Sequence, residues 1–172
     1  LELQGEMDHL FEEAQDDLAS QAYGVAAKKL LKLRAMGSEY RPGTISDNLY
    51  DAYMGEARQW LELVEGDLVP LPGARPSEPR FDVTEALLVK VREAIKAYER
   101  ALGERPSSAK TSEAKVLAQA LRQGLEEYSL ERWAESVSHL MEIYAKDPHY
   151  LSGKGVVVLC DAYALLGDSY YQ

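Results

Sequence analysis

At 172 residues, with 46% apolar and 28% charged side chains, the chain has an ordinary globular composition and the length of one domain. Its formal net charge of −10 argues against nucleic-acid and anionic-membrane partners, which are met by clustered Lys and Arg. The single cysteine, Cys160, excludes an intrachain disulfide, and no run of about 18 apolar residues is present to cross a bilayer.

The opening LELQGEMDHL has neither a basic-then-apolar leader pattern nor an initiator Met, so a fragment or processed product of a longer parent is expected. The compartment stays open, with the cytoplasm favoured. Apolar spacing then predicts amphipathic helices in series. Two short ones cover about Met7–Ala19 and Tyr23–Met36. A third, Leu49–Val64, carries its stripe on Leu49, Tyr53, Trp60 and Val64, with Ala57 as a small site between them. Gly66–Arg80 holds four of the seven prolines and is read as a long loop within one domain. Helices follow over Val83–Leu102, Ala114–Tyr128 and Trp133–Tyr144. The β-branched run GVVVLC, Gly155–Cys160, is open to a strand reading. Its counterpart in an earlier copy, ISDNLY at Ile45–Tyr50, has no strand character, so a seventh helix is expected there.

Punctuation fits this order. Thr44-x-x-Asp47 and Asp82-x-x-Glu85 offer acceptors to helix starts, and Ser129 is placed to cap the Trp133 helix. Gly37 and Gly66 fall at helix ends, and Pro106 and Pro148 follow two helices they cannot continue.

A shift of 110 positions superposes the chain on itself. Leu30 falls on Leu140, Ala35 on Ala145, Tyr40 on Tyr150 and Gly43 on Gly153, and Leu49 with Asp51-Ala52-Tyr53 falls on Leu159 with Asp161-Ala162-Tyr163. No gap is needed from Phe11 to Leu61, and such self-similarity marks stacked repeats. Trp133, Ser136, Leu140, Ile143 and Pro148 follow one order of aromatic, small, large, small and proline positions, with two substitutions at the small positions; Ala94, Tyr98, Ala101 and Pro106 follow its last four, and Tyr23, Ala26, Leu30 and Leu33 follow it without the proline. Tyr163, Leu166, Gly167 and Tyr170 follow a second order, shared by Tyr53, Glu56, Ala57 and Trp60 with Glu at the Leu position, and Gly124 occupies its glycine. These patterns resemble tetratricopeptide repeats, helix–turn–helix pairs of about 34 residues, in a degenerate form with irregular spacing.

The resemblance implies an all-α fold, a right-handed α-solenoid of about seven antiparallel helices in helix–turn–helix pairs. Residues 1–172 then form a single helical repeat domain, with units at roughly 5–36, 46–106 (the proline-rich insertion at 66–81), 110–148 and a half-unit at 156–172. LCDAYALLGDSYYQ, Leu159–Gln172, reads as the first helix of a further unit, either capping the stack or cut off from its second helix, with the cut favoured. Tyr53, Tyr98, Tyr163 and Tyr170 fall on packing positions and are expected in the core.

Residues with reactive side chains form no constellation. His9, His139 and His149 are scattered, and Asp147-Pro148-His149 is a helix exit. SGKGVVV lacks the glycine spacing and the Lys-Ser/Thr ending of a phosphate loop. Cys160 is expected to be a buried, inert thiol, and Glu12-Glu13 and Asp16-Asp17 a solvated face. Without a nucleophile–base pair or a metal cluster, the chain is read as no enzyme and as needing no cofactor or metal.

What the resemblance implies is a protein-interaction scaffold that holds a partner segment in a concave groove. The groove positions it assigns are Asp51, Met54, Arg58, Leu61 and Glu62 from one unit, Ala118, Leu121, Leu125 and Tyr128 from the next, and Asp161, Ala164 and Asp168 from the last. Acidic groups at Asp51 and Asp161 point to a basic or amide-rich segment. Self-association through the apolar repeat ends is a further expectation. The alternative is a ligand-sensing or regulatory segment of a larger multidomain protein, with Gly66–Arg80 as a lid over a small molecule.

Overall fold

The computed structural model describes residues 2–171. Among these, seven α-helices and no strand occur: α1 Glu2–Ala19, α2 Tyr23–Met36, α3 Pro42–Asp67, α4 Glu85–Glu104, α5 Ala109–Ser129, α6 Trp133–Lys146 and α7 Lys154–Ser169. The β-branched run therefore lies in α7, where Val158 and Leu159 are buried.

The helix starts differ from the sequence expectation for local reasons. α3 begins at Pro42, seven residues before Leu49, because proline at a first helical position has a preset φ and no N–H to leave unpaired; Thr44 thus lies inside the helix. The start of α4 is capped by Thr84, whose Oγ1 accepts the Leu87 N–H at 3.1 Å, and not by Asp82. Ser129 donates to the Glu126 carbonyl at 2.7 Å and so closes α5, while α6 begins at Trp133, after Arg132, without a side-chain cap. Gly37 does end α2, and α3 runs one residue beyond Gly66.

Contacts divide the chain into two compact units, one formed by the chain up to Arg58 with Lys96–Ser112, the other by Gln59–Ile95 with the chain from Glu113 onward. In the first unit α1 and α2 pack as a hairpin. Its core gathers Met7, Phe11 and Ala14 from α1, Ala27, Leu30 and Leu33 from α2, Leu49, Ala52 and Tyr53 from α3, and Ala101 from α4. Glu13 and Asp17 do not simply face solvent, because Lys29 of α2 bridges them at 3.2 and 2.7 Å. The end of α4 is tied down by Glu104, which receives both Arg34 guanidinium nitrogens at 2.9 and 2.7 Å and the Ser46 hydroxyl at 2.8 Å.

In the second unit α6 packs on α7. The close approach of α5 and α6 depends on Gly124, where an added Cβ would stand 2.6 Å from Leu140, and the buried Ser136 hydroxyl donates to the Gly124 carbonyl at 2.8 Å. The proline-rich segment is fastened at its end. Leu71 N–H meets the Arg80 carbonyl at 2.6 Å, Phe81 N–H meets the Tyr128 hydroxyl at 3.3 Å, and Arg80 N–H meets Asp161 Oδ2 at 3.1 Å. Tyr150–Ser169, α7 with the turn before it, is by length and hydropathy apolar enough to cross a bilayer, though it carries Asp161 buried and hydrogen-bonded within it.

The internal repeat extends to the backbone. Gln21 and Glu131, 110 positions apart, both take left-handed conformations with φ of 63° and 57°. Ala22 N–H reaches Asp17 O at 2.8 Å and Arg132 N–H reaches Glu127 O at 2.9 Å. Gly37 N–H to Leu33 O at 3.1 Å is likewise matched by Asp147 N–H to Ile143 O at 2.8 Å. Helices α2 and α6 span the same positions in their copies.

Three expectations about α7 are corrected. Cys160 is exposed, and so are Tyr163 and Tyr170, at 48% and 78%. They share the outward stripe of the helix, whereas Tyr53 and Tyr98 are buried.

Candidate functional site

Asp51, Met54 and Arg58 are spaced so that they share one face of α3. They line a cleft of about 260 Å³ in the first unit. Gly55 forms part of the wall, and its missing side chain is essential, since a Cβ there would lie 2.5 Å from the Tyr23 ring. The ring of Tyr23, at the start of α2, therefore lies flat against the α3 backbone as an aromatic floor.

Tyr50 supplies a second aromatic wall, and its orientation is over-determined. Its hydroxyl lies 2.8 Å from Thr111 Oγ1 and 3.2 Å from Ser108 Oγ, and the Arg105 guanidinium sits 4.1 Å above its ring. Hydrogen bonds from Ser108 and Thr111 hold the phenol below its ordinary pKa, with Arg105 adding a smaller pull in the same direction. The Thr111 hydroxyl also lies 3.4 Å from the Met54 sulfur. Lys110 completes the rim. The cleft thus offers an apolar floor, one carboxylate (Asp51) and two cations (Arg58 and Lys110).

The other positions assigned from the sequence lie elsewhere. Glu62 is exposed, but Leu61 is buried, and Leu121 and Leu125 are fully buried in the second unit, as are Ala118 and Tyr128. Ala164 and Asp168 are exposed on α7. Asp161 occupies the repeat position of exposed Asp51, yet it is buried. It accepts hydrogen bonds from the Tyr128 hydroxyl and the Arg80 N–H, and the Arg80 side chain lies 3.5 Å away. Burial, reinforced by the Asp161 carboxylate, pushes the Tyr128 phenol well above its ordinary pKa. These groups are engaged within the unit and present nothing to a ligand.

Sequence reasoning did not assign Tyr23, Tyr50 and Lys110 to the site. Tyr50 adjoins Asp51, and Tyr23 was read only as a packing residue. The available signal was Gly55, a glycine inside a helix, which marks a close approach. No group of three or more His, Cys, Asp or Glu able to hold a metal occurs among the described residues. No family model, no curated protein and no solved structure matches this chain.

Proposed function

We propose that the chain is a tetratricopeptide-like helical repeat module, its helix pairs stacked as a solenoid, that holds a segment of another protein in the cleft along α3. The observation that carries this reading is the convergence of Asp51, Met54 and Arg58, three groove positions of the resemblance, on one aromatic-floored cleft. The repeated corner geometry at Gln21 and Glu131 supports the helix-pair architecture. At about 260 Å³ the cleft is below the roughly 300–1,000 Å³ of small-molecule pockets and suits one or two side chains of an extended or helical segment.

The lining defines the segment. An apolar or aromatic side chain rests on Tyr23 and Met54, a carboxylate meets Arg58 and Lys110, and a basic or amide group meets Asp51. Asp51 alone called for a basic segment; with two cations beside it, a mixed segment with an acidic excess fits better.

Selection from a random peptide library against the protein and against the Asp51→Lys/Arg58→Glu variant tests this. The protein should retain peptides of the stated pattern and the variant should lose them. Equal selection by both would remove the cleft as the binding site.

A further inference from the structure

In the first unit the groove between α2 and α3 is covered by the segment Lys96–Ser112. Arg34 and Ser46 bind Glu104, Arg105 pairs with Asp47 at 2.8 Å, and Tyr50 bonds to Ser108 and Thr111. Ala101 is buried in the same cluster as Tyr50 and Tyr53.

The same positions 110 residues later lie on α6 and α7, and their chemistry is inverted. Arg34 becomes Tyr144, Ser46 becomes Val156, Asp47 becomes Val157 and Tyr50 becomes Cys160. Each polar or ionic anchor has been replaced by an apolar or small residue. Yet Tyr144, Val157, Cys160, Tyr163, Ala164 and Gly167 are exposed, as are Tyr170 and Tyr171 beyond them. This face has the composition of the inside of an interface.

We propose that this face is covered by the same face of a second copy of the chain, with the two α7 helices antiparallel about a two-fold axis between Tyr163 and Ala164. The register follows from size. About that axis the two Ala164 meet on one side of the seam and the two Tyr163 on the other, while Cys160 lies level with Gly167, two small residues that let the helices approach closely. The face carries one charged group, the exposed Asp168 at its edge, so a covering helix meets almost no ionic anchor, and α7 itself fits that description. At about 200 Å² per aromatic side chain, the exposed fractions of Tyr144, Tyr163, Tyr170 and Tyr171 come to about 500 Å² per copy. If all of it is covered, two copies bury about 1,000 Å², in the range of weak interfaces below about 1,200 Å², so a weak, concentration-dependent dimer is expected. This surface uses none of the cleft residues and is independent of the proposed function.

Sedimentation equilibrium on the full chain tests the proposal. The mass should rise from 19.2 kDa toward twice that value as concentration increases. Gly167→Arg, with unchanged helical circular dichroism, should stay at the lower mass. In a Cys160→Ser background, Ala164→Cys should form a disulfide-linked dimer under mild oxidation, because the two 164 positions meet at the axis. The native Cys160 thiols stand about 10 Å apart along the helices and should not cross-link. A mass fixed at 19.2 kDa at every concentration, or a Gly167→Arg variant that dimerises as the parent does, overturns it. Binding of phosphatidylcholine vesicles by a chain that stays monomeric in solution overturns it too, since the face then belongs to a lipid surface.

Discussion

Tyr128 donates its hydroxyl hydrogen to Asp161, and both side chains are buried. The same phenol oxygen accepts the Phe81 N–H and the same carboxylate accepts the Arg80 N–H, so two side chains hold the end of the proline-rich segment. Asp161→Ala would leave the Tyr128 hydroxyl and a backbone N–H without an acceptor, at a cost of about 2–3 kcal/mol. Urea unfolding should show that loss. Trypsin cleavage after Arg80 should accelerate more than global unfolding accounts for. A variant with the parent's cleavage rate would show that the segment is held by something else.

The Arg34–Glu104 pair gives a signed pH dependence. The Arg34 hydrogen bonds, aided by Ser46, hold the Glu104 carboxyl below its ordinary 4.5 against the opposing effect of desolvation. A carboxyl whose folded pKa is depressed contributes stability that is complete above its unfolded pKa and is lost as pH falls through the folded value. Arg34→Ala should therefore cost about 1 kcal/mol at pH 7 and progressively less below pH 4.5. A difference from the parent that is constant from pH 7 to pH 3 would show that the arginine acts through packing alone.

Glycines separate into two classes by what a methyl group would meet. Gly55→Ala drives a Cβ into the Tyr23 ring and Gly124→Ala into Leu140, and each should destabilise by about 1–3 kcal/mol. Gly55→Ala should also reshape the cleft. Gly5→Ala, in α1 with nothing within 4 Å, should instead stabilise by up to about 1 kcal/mol. Thermal melts of the three variants check the order.

Cys160 is exposed, so a thiol reagent should modify one equivalent in the folded protein without denaturant. The rate at low protein concentration should approach that of the unfolded chain. A thiol that reacts only on unfolding would place Cys160 in a covered environment.

Boundaries that depend on helical period alone were legible in the sequence. α2 was predicted over its observed span, and the copies kept their register because Leu30, Leu33, Leu140 and Ile143 are all buried at matched positions. Caps were less legible, because several side chains near each start can accept a hydrogen bond and only the backbone path selects Thr84 over Asp82. The fate of Asp161 was not legible at all. Its equivalent, Asp51, is exposed, and the difference comes from Arg80, at the end of a proline-rich segment with no counterpart in the repeat. The cleft was half legible: the period of α3 places Asp51, Met54 and Arg58 together, but Lys110 arrives from another helix, which no spacing rule connects to them.

The corners at Gln21 and Glu131 are closed by main-chain groups, with the hydrogen bonds from Ala22 to Asp17 and from Arg132 to Glu127 independent of any side chain. Their shape therefore tolerates wholesale replacement of the residues that form them, as Gln21 and Glu131 or Ala22 and Arg132 illustrate. Letter-by-letter identity is thus a poor measure of how alike the two corners are in structure. The hydrogen-bond ladder around a turn keeps one shape where the side chains no longer match.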